Sequence, residues 1–348
     1  MLPRTSSISF SFVGKLQRSF AIFGRRTHSL AAVPVPGRYS LHDAKPMKDP
    51  TLKAFKLIRH FDELITQAIN TCKGKPVVRN LLLQHTFSTS LLKHPPGQLE
   101  QKAKLWQQPQ VPKNLYINHG HFIHAKGDGI QHIIDELKRK GDSNRALYSL
   151  ISMPEIVGKG DLPIPSFMVL QFGLSGKSLF CTAYFRALEV CRFLPINVTE
   201  ICLVASRIHR DFQQVNRVYL CILAFQASYK PDFDCLEKCE LDQMEEGVVS
   251  GYLADPTKKD KLSHLLHDKL RESTVIDTAR LNEICNYLRN APAETRALYK
   301  DTFLSSLERA RDCLNELKEV RENTSYSPEI QKLTEQAKQH LKAAFAAM

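Results

Sequence analysis

Two apolar runs joined by a short, glycine-containing turn constrain the fold of this chain more than any other feature. The first run is FMVLQFG at residues 167–173, and the second is SLFCTAYF at residues 178–185. Short apolar runs bounded by turn residues are typical of buried strands. A connection of this length between them favours an antiparallel hairpin. We therefore expect a buried hairpin in the middle of the chain.

The flanking sequence predicts further elements around this hairpin. Apolar residues at helical spacing, or in short continuous runs, mark helices over residues 50–72, 129–140 and 196–207, and strands over residues 146–153 and 217–225. Residues 76–92 are mixed and support no assignment, and the Pro- and Gln-rich segment 94–113 is typical of a surface connection.

The chain changes character after residue 231. Residues 236–348 carry apolar stripes at helical spacing almost throughout, and Ser327, Pro328 and Glu329 form a typical helix start. We therefore predict an α+β protein with three parts. These are a basic leader at residues 1–45, an α/β domain at residues 46–235 and a C-terminal helical region at residues 236–348.

The charge of the chain is concentrated at its beginning. The formal net charge is +12, and residues 1–42 contain six Lys and Arg residues and no acid. Within them, apolar residues and basic residues fall on opposite sides of a helix, a composition like that of a mitochondrial transit peptide. The alternative is a disordered basic N-terminus on a cytoplasmic protein. The sequence contains no run of 18 apolar residues without charge, so it predicts no transmembrane helix.

The cysteine and histidine patterns do not favour a metal centre. The nine cysteines are an odd number and lie mostly in apolar runs, which favours reduced thiols in an intracellular protein. Cys235 and Cys239 are not followed by a second pair with zinc-like spacing. We interpret His119, His121 and His124 as loop histidines, because no cysteine or acid accompanies them at ligand spacing.

The segment most indicative of function is LFCTAYFRALEVCRFLPIN, residues 179–197. It places Arg186 at the end of an apolar strand, then Glu189, then a Pro-x-Asn turn that ends at Asn197. An arginine offers a planar fork of donors to phosphate oxygens, and an asparagine offers a donor and an acceptor to a pyrimidine edge. The alternatives are a surface arginine, and an asparagine that caps a helix beginning near Val198.

This segment resembles the thymidylate synthases and the related pyrimidine hydroxymethylases. The run FRALEVCRFLPIN, residues 185–197, aligns without a gap with the family motif Q-R-S-x-D-x-x-L-G-x-P-x-N. Ser166 precedes Arg186 by 20 residues, which is the family's spacing from nucleophile to phosphate arginine. The sequence DSNR at residues 142–145 matches the family's D-S-R-R turn, and the resemblance covers roughly residues 113–230.

The resemblance implies a fold and a set of ligand contacts. The fold would be a mixed and antiparallel sheet with packed helices, in a homodimer. Arg186 would hold the nucleotide phosphate, with Arg145 supplied by the neighbouring subunit. Asn197 and Glu189 would face the base, and Tyr229 would contact the ribose.

Several departures from the family motif bear on catalysis. The nucleophilic cysteine is replaced by Ser166, and a hydroxyl is a far weaker nucleophile than a thiolate. The following histidine is Phe167, and the motif's Gln and Ser are Phe185 and Ala187. No folate site is recognisable in residues 46–112, so we expect no cofactor.

Three hypotheses of function remain. The first is a non-catalytic module that binds a pyrimidine mononucleotide or serves assembly, with a protein partner bound through the C-terminal helices. The second is an active enzyme of methyl- or hydroxymethyltransferase type that uses Ser166 or a displaced thiol such as Cys181 or Cys191. The third is an organellar RNA-associated or scaffold protein, which the basic charge supports weakly.

Overall fold

The computed structural model describes residues 50–96, 99–157, 163–231, 236–270, 275–324 and 327–348. All of these residues belong to one compact unit. The predictions for residues 1–45 and for Cys235 lie outside the described residues.

Six strands form one mixed sheet in the order β1-β2-β6-β5-β4-β3. The strands are β1 (Lys56–Leu57), β2 (Val78–Ser88), β3 (Leu147–Ser149), β4 (Phe167–Ser175), β5 (Ser178–Glu189) and β6 (Arg217–Ser228). The pairs β2–β6, β3–β4 and β4–β5 are antiparallel, whereas β5–β6 and β1–β2 are parallel. The α+β class is therefore confirmed.

Twelve α-helices are found in the described residues. They are α1 (Phe61–Cys72), α2 (Glu100–Trp106), α3 (His119–His124), α4 (Gly129–Arg139), α5 (Met153–Ile156), α6 (Phe193–Asp211), α7 (Val248–Ala254), α8 (Lys259–Asp268), α9 (Ala279–Asn290), α10 (Ala293–Arg296), α11 (Asp301–Asn323) and α12 (Pro328–Ala347).

The predicted hairpin forms β4 and β5. Ser175 pairs with Ser178, so only Gly176 and Lys177 connect the two strands. Gly176 has a φ of 56°, in the left-handed region that a two-residue hairpin turn requires and that glycine occupies without strain. A register shift between Phe167 and Val169 interrupts the ladder next to Ser166.

The helix α6 crosses from β5 to β6 and covers one face of the sheet. Its residues Leu194, Val198, Ile201 and Ala205 share a core with the strand residues of that face. A parallel strand pair requires a crossover of this kind, usually a helix. The opposite face carries half-buried residues at alternate positions, and within it Leu82 remains 49% exposed.

A separate core lies in the C-terminal helices. Its buried residues come mainly from α7, α8, α9, α11 and α12, and from the short 3-10 helix Leu241–Gln243 with the residues next to it. Leu253, Leu266 and Leu307 are among its fully buried residues. Where this region meets the sheet region, the Tyr116 hydroxyl donates to the Asp242 carboxylate at 2.6 Å. The Lys269 ammonium donates to the same carboxylate, so a buried polar contact joins the two regions.

Candidate functional site

Arg186 and Ser166 lie side by side where β4 begins against β5. The backbone N–H of Arg186 donates to the carbonyl of Ser166 at 2.9 Å. The guanidinium donates from Nε to the carbonyl of Pro165 at 3.2 Å and from Nη2 to that of Ile164 at 3.0 Å. Backbone oxygens therefore fix the orientation of Arg186, and partial burial lowers its pKa.

The carboxylate of Glu189 is saturated by backbone donors. Its two oxygens accept from the N–H groups of Cys191, Arg192, Phe193 and Lys230 at 2.6–3.1 Å. Three of these donors precede or begin α6, so Glu189 supplies the capping contacts of that helix from the end of β5. The carboxylate that the resemblance assigns to the base is thus occupied by the protein itself.

Asn197 is buried within the second turn of α6. It is 1% exposed, and neither its side-chain oxygen nor its nitrogen has a hydrogen-bond partner among the described residues. The hypothesis that Asn197 caps a helix near Val198 is wrong, because the helix begins at Phe193 and Arg192 is its N-cap residue. A buried, unpaired polar group costs about 1–3 kcal/mol of stability, so this amide is a candidate recognition group.

A buried His–Glu pair lies one turn further along α6. His119 at the start of α3 contacts both carboxylate oxygens of Glu200 through Nδ1, at 2.9 and 3.0 Å. Both residues are 1% exposed, and burial raises the pKa of Glu200. Because residues three apart on a helix are neighbours, Glu200 lies beside Asn197.

Aromatic rings enclose His119. Its ring centroid lies 5.0 Å from that of Trp106 and 5.5 Å from that of Phe167, and Trp106 in turn contacts Phe193. The indole Nε1 of Trp106 is buried and unpaired among the described residues. The interpretation of His119, His121 and His124 as loop histidines is wrong, because all three lie in α3. The acidic partner of His119 could not be recognised from local spacing, because Glu200 is 81 positions away in the chain.

Among the described residues, the predicted contacts Arg145 and Tyr229 make no hydrogen bond, ion pair or ring contact with this cluster. Arg145 is exposed in the loop before β3, and its guanidinium has no hydrogen-bond or ion-pair partner among the described residues. Tyr229 follows β6 and packs partly against the sheet core. The structure therefore brings Ser166 next to Arg186 and Asn197 next to Glu200, and no hydrogen bond joins Arg186 to Asn197.

The thiols offered as displaced nucleophiles differ in environment. Burial raises the pKa of the Cys181 thiol well above its ordinary value, and Cys202 on α6 is shifted in the same direction. A thiol with a raised pKa is protonated near neutral pH and reacts slowly, since the thiolate is the nucleophile. Cys181 is thus unsuited to the role of a displaced nucleophile, whereas Cys191 is only half-buried.

Metal ligation and membrane insertion find no support in the part of the chain that the structure describes. It contains no group of three His, Cys, Asp or Glu side chains placed to hold a metal ion. Within the same residues, no helix combines the length and the apolar character needed to cross a bilayer.

Comparisons with known proteins assign no family to the chain. No protein-family model matches it, and no curated protein is similar enough to be matched with it.

Proposed function

We propose that this chain is a thymidylate synthase-like module that binds a pyrimidine mononucleotide without converting it. The observation that carries the proposal is the buried, unpaired amide of Asn197. A carboxamide presents one donor and one acceptor group, which complements the edge of a pyrimidine ring. Bound base would satisfy both atoms and remove the cost of leaving them unpaired.

In this proposal, Arg186 and Arg145 bind the phosphate of the nucleotide. Arg186 is already oriented by two carbonyls, and Arg145 carries an unpartnered guanidinium on the surface. A guanidinium fork matches phosphate oxygens in two-point contacts. Arg186 is exposed and Asn197 is buried, as required for a nucleotide whose phosphate stays at the surface while its base enters.

The absence of turnover is supported by the groups around the family's nucleophile position. The Ser166 hydroxyl has no hydrogen-bond partner in the described part of the chain, so no base is seen to activate it. An unactivated hydroxyl is a weak nucleophile at neutral pH.

A homodimer is the proposed assembly. Leu82, Leu223, Tyr184 and Val169 lie in register across four strands on the sheet face that α6 does not cover. A second copy would bury this row, and sheets pack face to face about 10 Å apart. Tyr184→Lys should convert the dimer to a monomer in analytical ultracentrifugation, whereas exposed Lys113→Glu should not.

The test of nucleotide binding is calorimetry with dUMP and dCMP on wild type, Asn197→Leu and Arg186→Glu. Leucine has the branched shape of asparagine but no polar atoms. We expect Asn197→Leu to weaken binding at least tenfold while raising the free energy of unfolding by about 1–3 kcal/mol, since an unpaired buried amide is removed. Arg186→Glu should also abolish binding.

Two results would contradict the proposal. One is wild-type protein that binds neither nucleotide, and the other is an affinity that both substitutions leave unchanged. Release of tritium from C5-labelled nucleotide by the wild-type protein would instead favour the active-enzyme hypothesis.

A further inference from the structure

A groove lined by both polar and apolar side chains runs along α9 in the C-terminal helical region. Its volume is about 630 Å³, and Asn282, Asn286 and Asn290 line it at four-residue intervals. Tyr287 and Pro292 contribute apolar surface to the same groove. Because residues four apart share one face of a helix, the three asparagines form a single ladder along its length.

Most of the hydrogen-bonding capacity of this ladder is unused. The side-chain amides of Asn282 and Asn286 have no hydrogen bond within the described residues, and Asn290 only donates to the carbonyl of Asn286 at 2.9 Å. Asparagine lowers helix stability by up to about 0.7 kcal/mol relative to alanine. Three asparagines on one stripe therefore do not serve the helix itself.

The spacing of the ladder matches an extended polypeptide. Four residues of an α-helix rise about 6.0 Å. Two residues of a β-strand rise about 6.6 Å, and every second residue of a strand directs its N–H and C=O to the same side. Each asparagine amide can therefore face the donor and acceptor of alternate residues in a strand laid along the groove.

The end of the groove near the start of α9 is acidic. Arg280 is paired with Glu283, and Glu283 also accepts from the backbone N–H of Gly247. Glu246 lines the same end and has no ion-pair partner among the described residues. Two carboxylates against one guanidinium favour a cationic residue at this position.

We propose that this groove, the α9 asparagine groove, binds an extended peptide segment of a partner protein through its main chain, with a Lys or Arg side chain at the Glu246 end. The groove lies far along the chain from the nucleotide residues, so the proposal is independent of the proposed function. It gives the C-terminal helices a specific recognition task.

The first test is selection from a random dodecapeptide display library on the full chain. Wild-type protein should enrich peptides that share a Lys or Arg at one end. A synthetic peptide from the enriched set should lose at least tenfold in affinity for Asn282→Ala/Asn286→Ala. The control is Asn323→Ala, which removes an exposed helical asparagine of α11 that does not line the groove. It should leave affinity unchanged.

The second test asks whether the peptide main chain is recognised with a period of two. N-methylation of alternate residues of the peptide should weaken binding at least tenfold in one register and less than twofold in the other. Glu246→Gln should remove the preference for a basic residue. Failure to enrich any peptide, equal affinity for the asparagine double variant, or selection of amphipathic sequences insensitive to N-methylation would overturn the proposal. The last outcome would indicate a helical partner.

Discussion

The sheet region and the C-terminal helical region bury different kinds of side chain. Among the described residues, most buried polar or charged residues lie in the sheet region, residues 50–231: His85, Thr86, Asn118, His119, Ser143, Glu189, Asn197, Thr199 and Glu200. The helical region adds the side chains of Asp242 and Lys269 at the junction, which are 2% and 9% exposed. The core of the helical region is built from Leu, Ile, Ala, Phe and similar residues. Polar groups in an interior cost stability unless they are paired. Among the described residues, the buried side-chain nitrogen and oxygen atoms without a hydrogen-bond partner belong to His85, Trp106, Asn197 and His209, all in the sheet region. The interior of the sheet region therefore holds unpaired polar groups, whereas the buried polar pair of the helical region is satisfied.

The largest changes in the free energy of unfolding should come from truncating one equivalent isoleucine side chain in each of the two cores. Ile222 on β6 and Ile284 on α9 are both fully buried, and each belongs to a different core. Replacement of either with alanine should lower the free energy of unfolding by about 2–5 kcal/mol, because the transfer free energy is lost and a cavity remains.

If the two cores are energetically separate, the loss in free energy of unfolding of the double variant should equal the sum of the two single losses to within about 0.5 kcal/mol. Urea unfolding followed by circular dichroism measures all three variants. If the loss in the double variant differs from the sum of the single losses by several kcal/mol, the two regions share one core and are not separate.

The next effect concerns the polar contact that joins the two regions. The side chains of Asp242 and Lys269 are 2% and 9% exposed, and Tyr116 donates to the same carboxylate. Removal of one partner from a buried pair leaves an uncompensated charge, so Asp242→Ala should cost about 3–5 kcal/mol. Differential scanning calorimetry should resolve whether the regions then unfold separately.

The control for Asp242 is Glu245→Gln. Its partner Lys113 also spans the two regions, but both side chains are more than 70% exposed. An exposed pair contributes about 0–1 kcal/mol. Equal losses for the two substitutions would mean that burial does not decide the strength of this junction.

The smallest effect is a pH dependence that arises in the sheet region. His85 on β2 is fully buried, neither ring nitrogen has a partner among the described residues, and burial lowers its pKa. The unfolded chain therefore binds a proton more readily than the folded chain. The free energy of unfolding should therefore be highest above the pKa of His85 in the unfolded chain, which is about 6.5. It should decrease as the pH falls below that value, by at most about 1.4 kcal/mol per pH unit.

Unfolding in urea at pH 5–8 measures this slope. His85→Leu should flatten it, while His264→Leu at an exposed site of the helical region should not. An unchanged slope in His85→Leu would assign the pH dependence to another group.

The hairpin and the last helix could be predicted because their determinants are local. The apolar runs of β4 and β5 meet at a glycine turn, and the Ser327 hydroxyl accepts from the N–H of Glu329 where α12 begins. Both predictions are confirmed. The helix predicted over residues 50–72 forms only at Phe61–Cys72, because the preceding residues turn onto the sheet, where Phe55 contacts Tyr219.

The features that the sequence did not reveal depend on distant partners. The strand β2 has Arg79, Asn80, Gln84 and His85 among its apolar residues, so its alternation is weak. It is fixed by pairing with β6, and the paired residues, from Ser88↔Arg217 to Val78↔Ala227, are 129 to 149 positions apart. The contact of His119 with Glu200 and the junction of Tyr116 with Asp242 likewise connect separate parts of the chain. Local periodicity carries no information about such pairs.

The fourfold engagement of the Glu189 carboxylate limits how an anion can be bound here. The exposed N–H groups at the start of a helix normally make a ready receptor for phosphate, aided by the positive end of the helix dipole. In this protein an internal anion already fills that position on α6. A nucleotide phosphate bound as proposed would therefore not use the N-terminus of α6 and would depend on arginine side chains, so its affinity should fall with salt and with the loss of a single arginine.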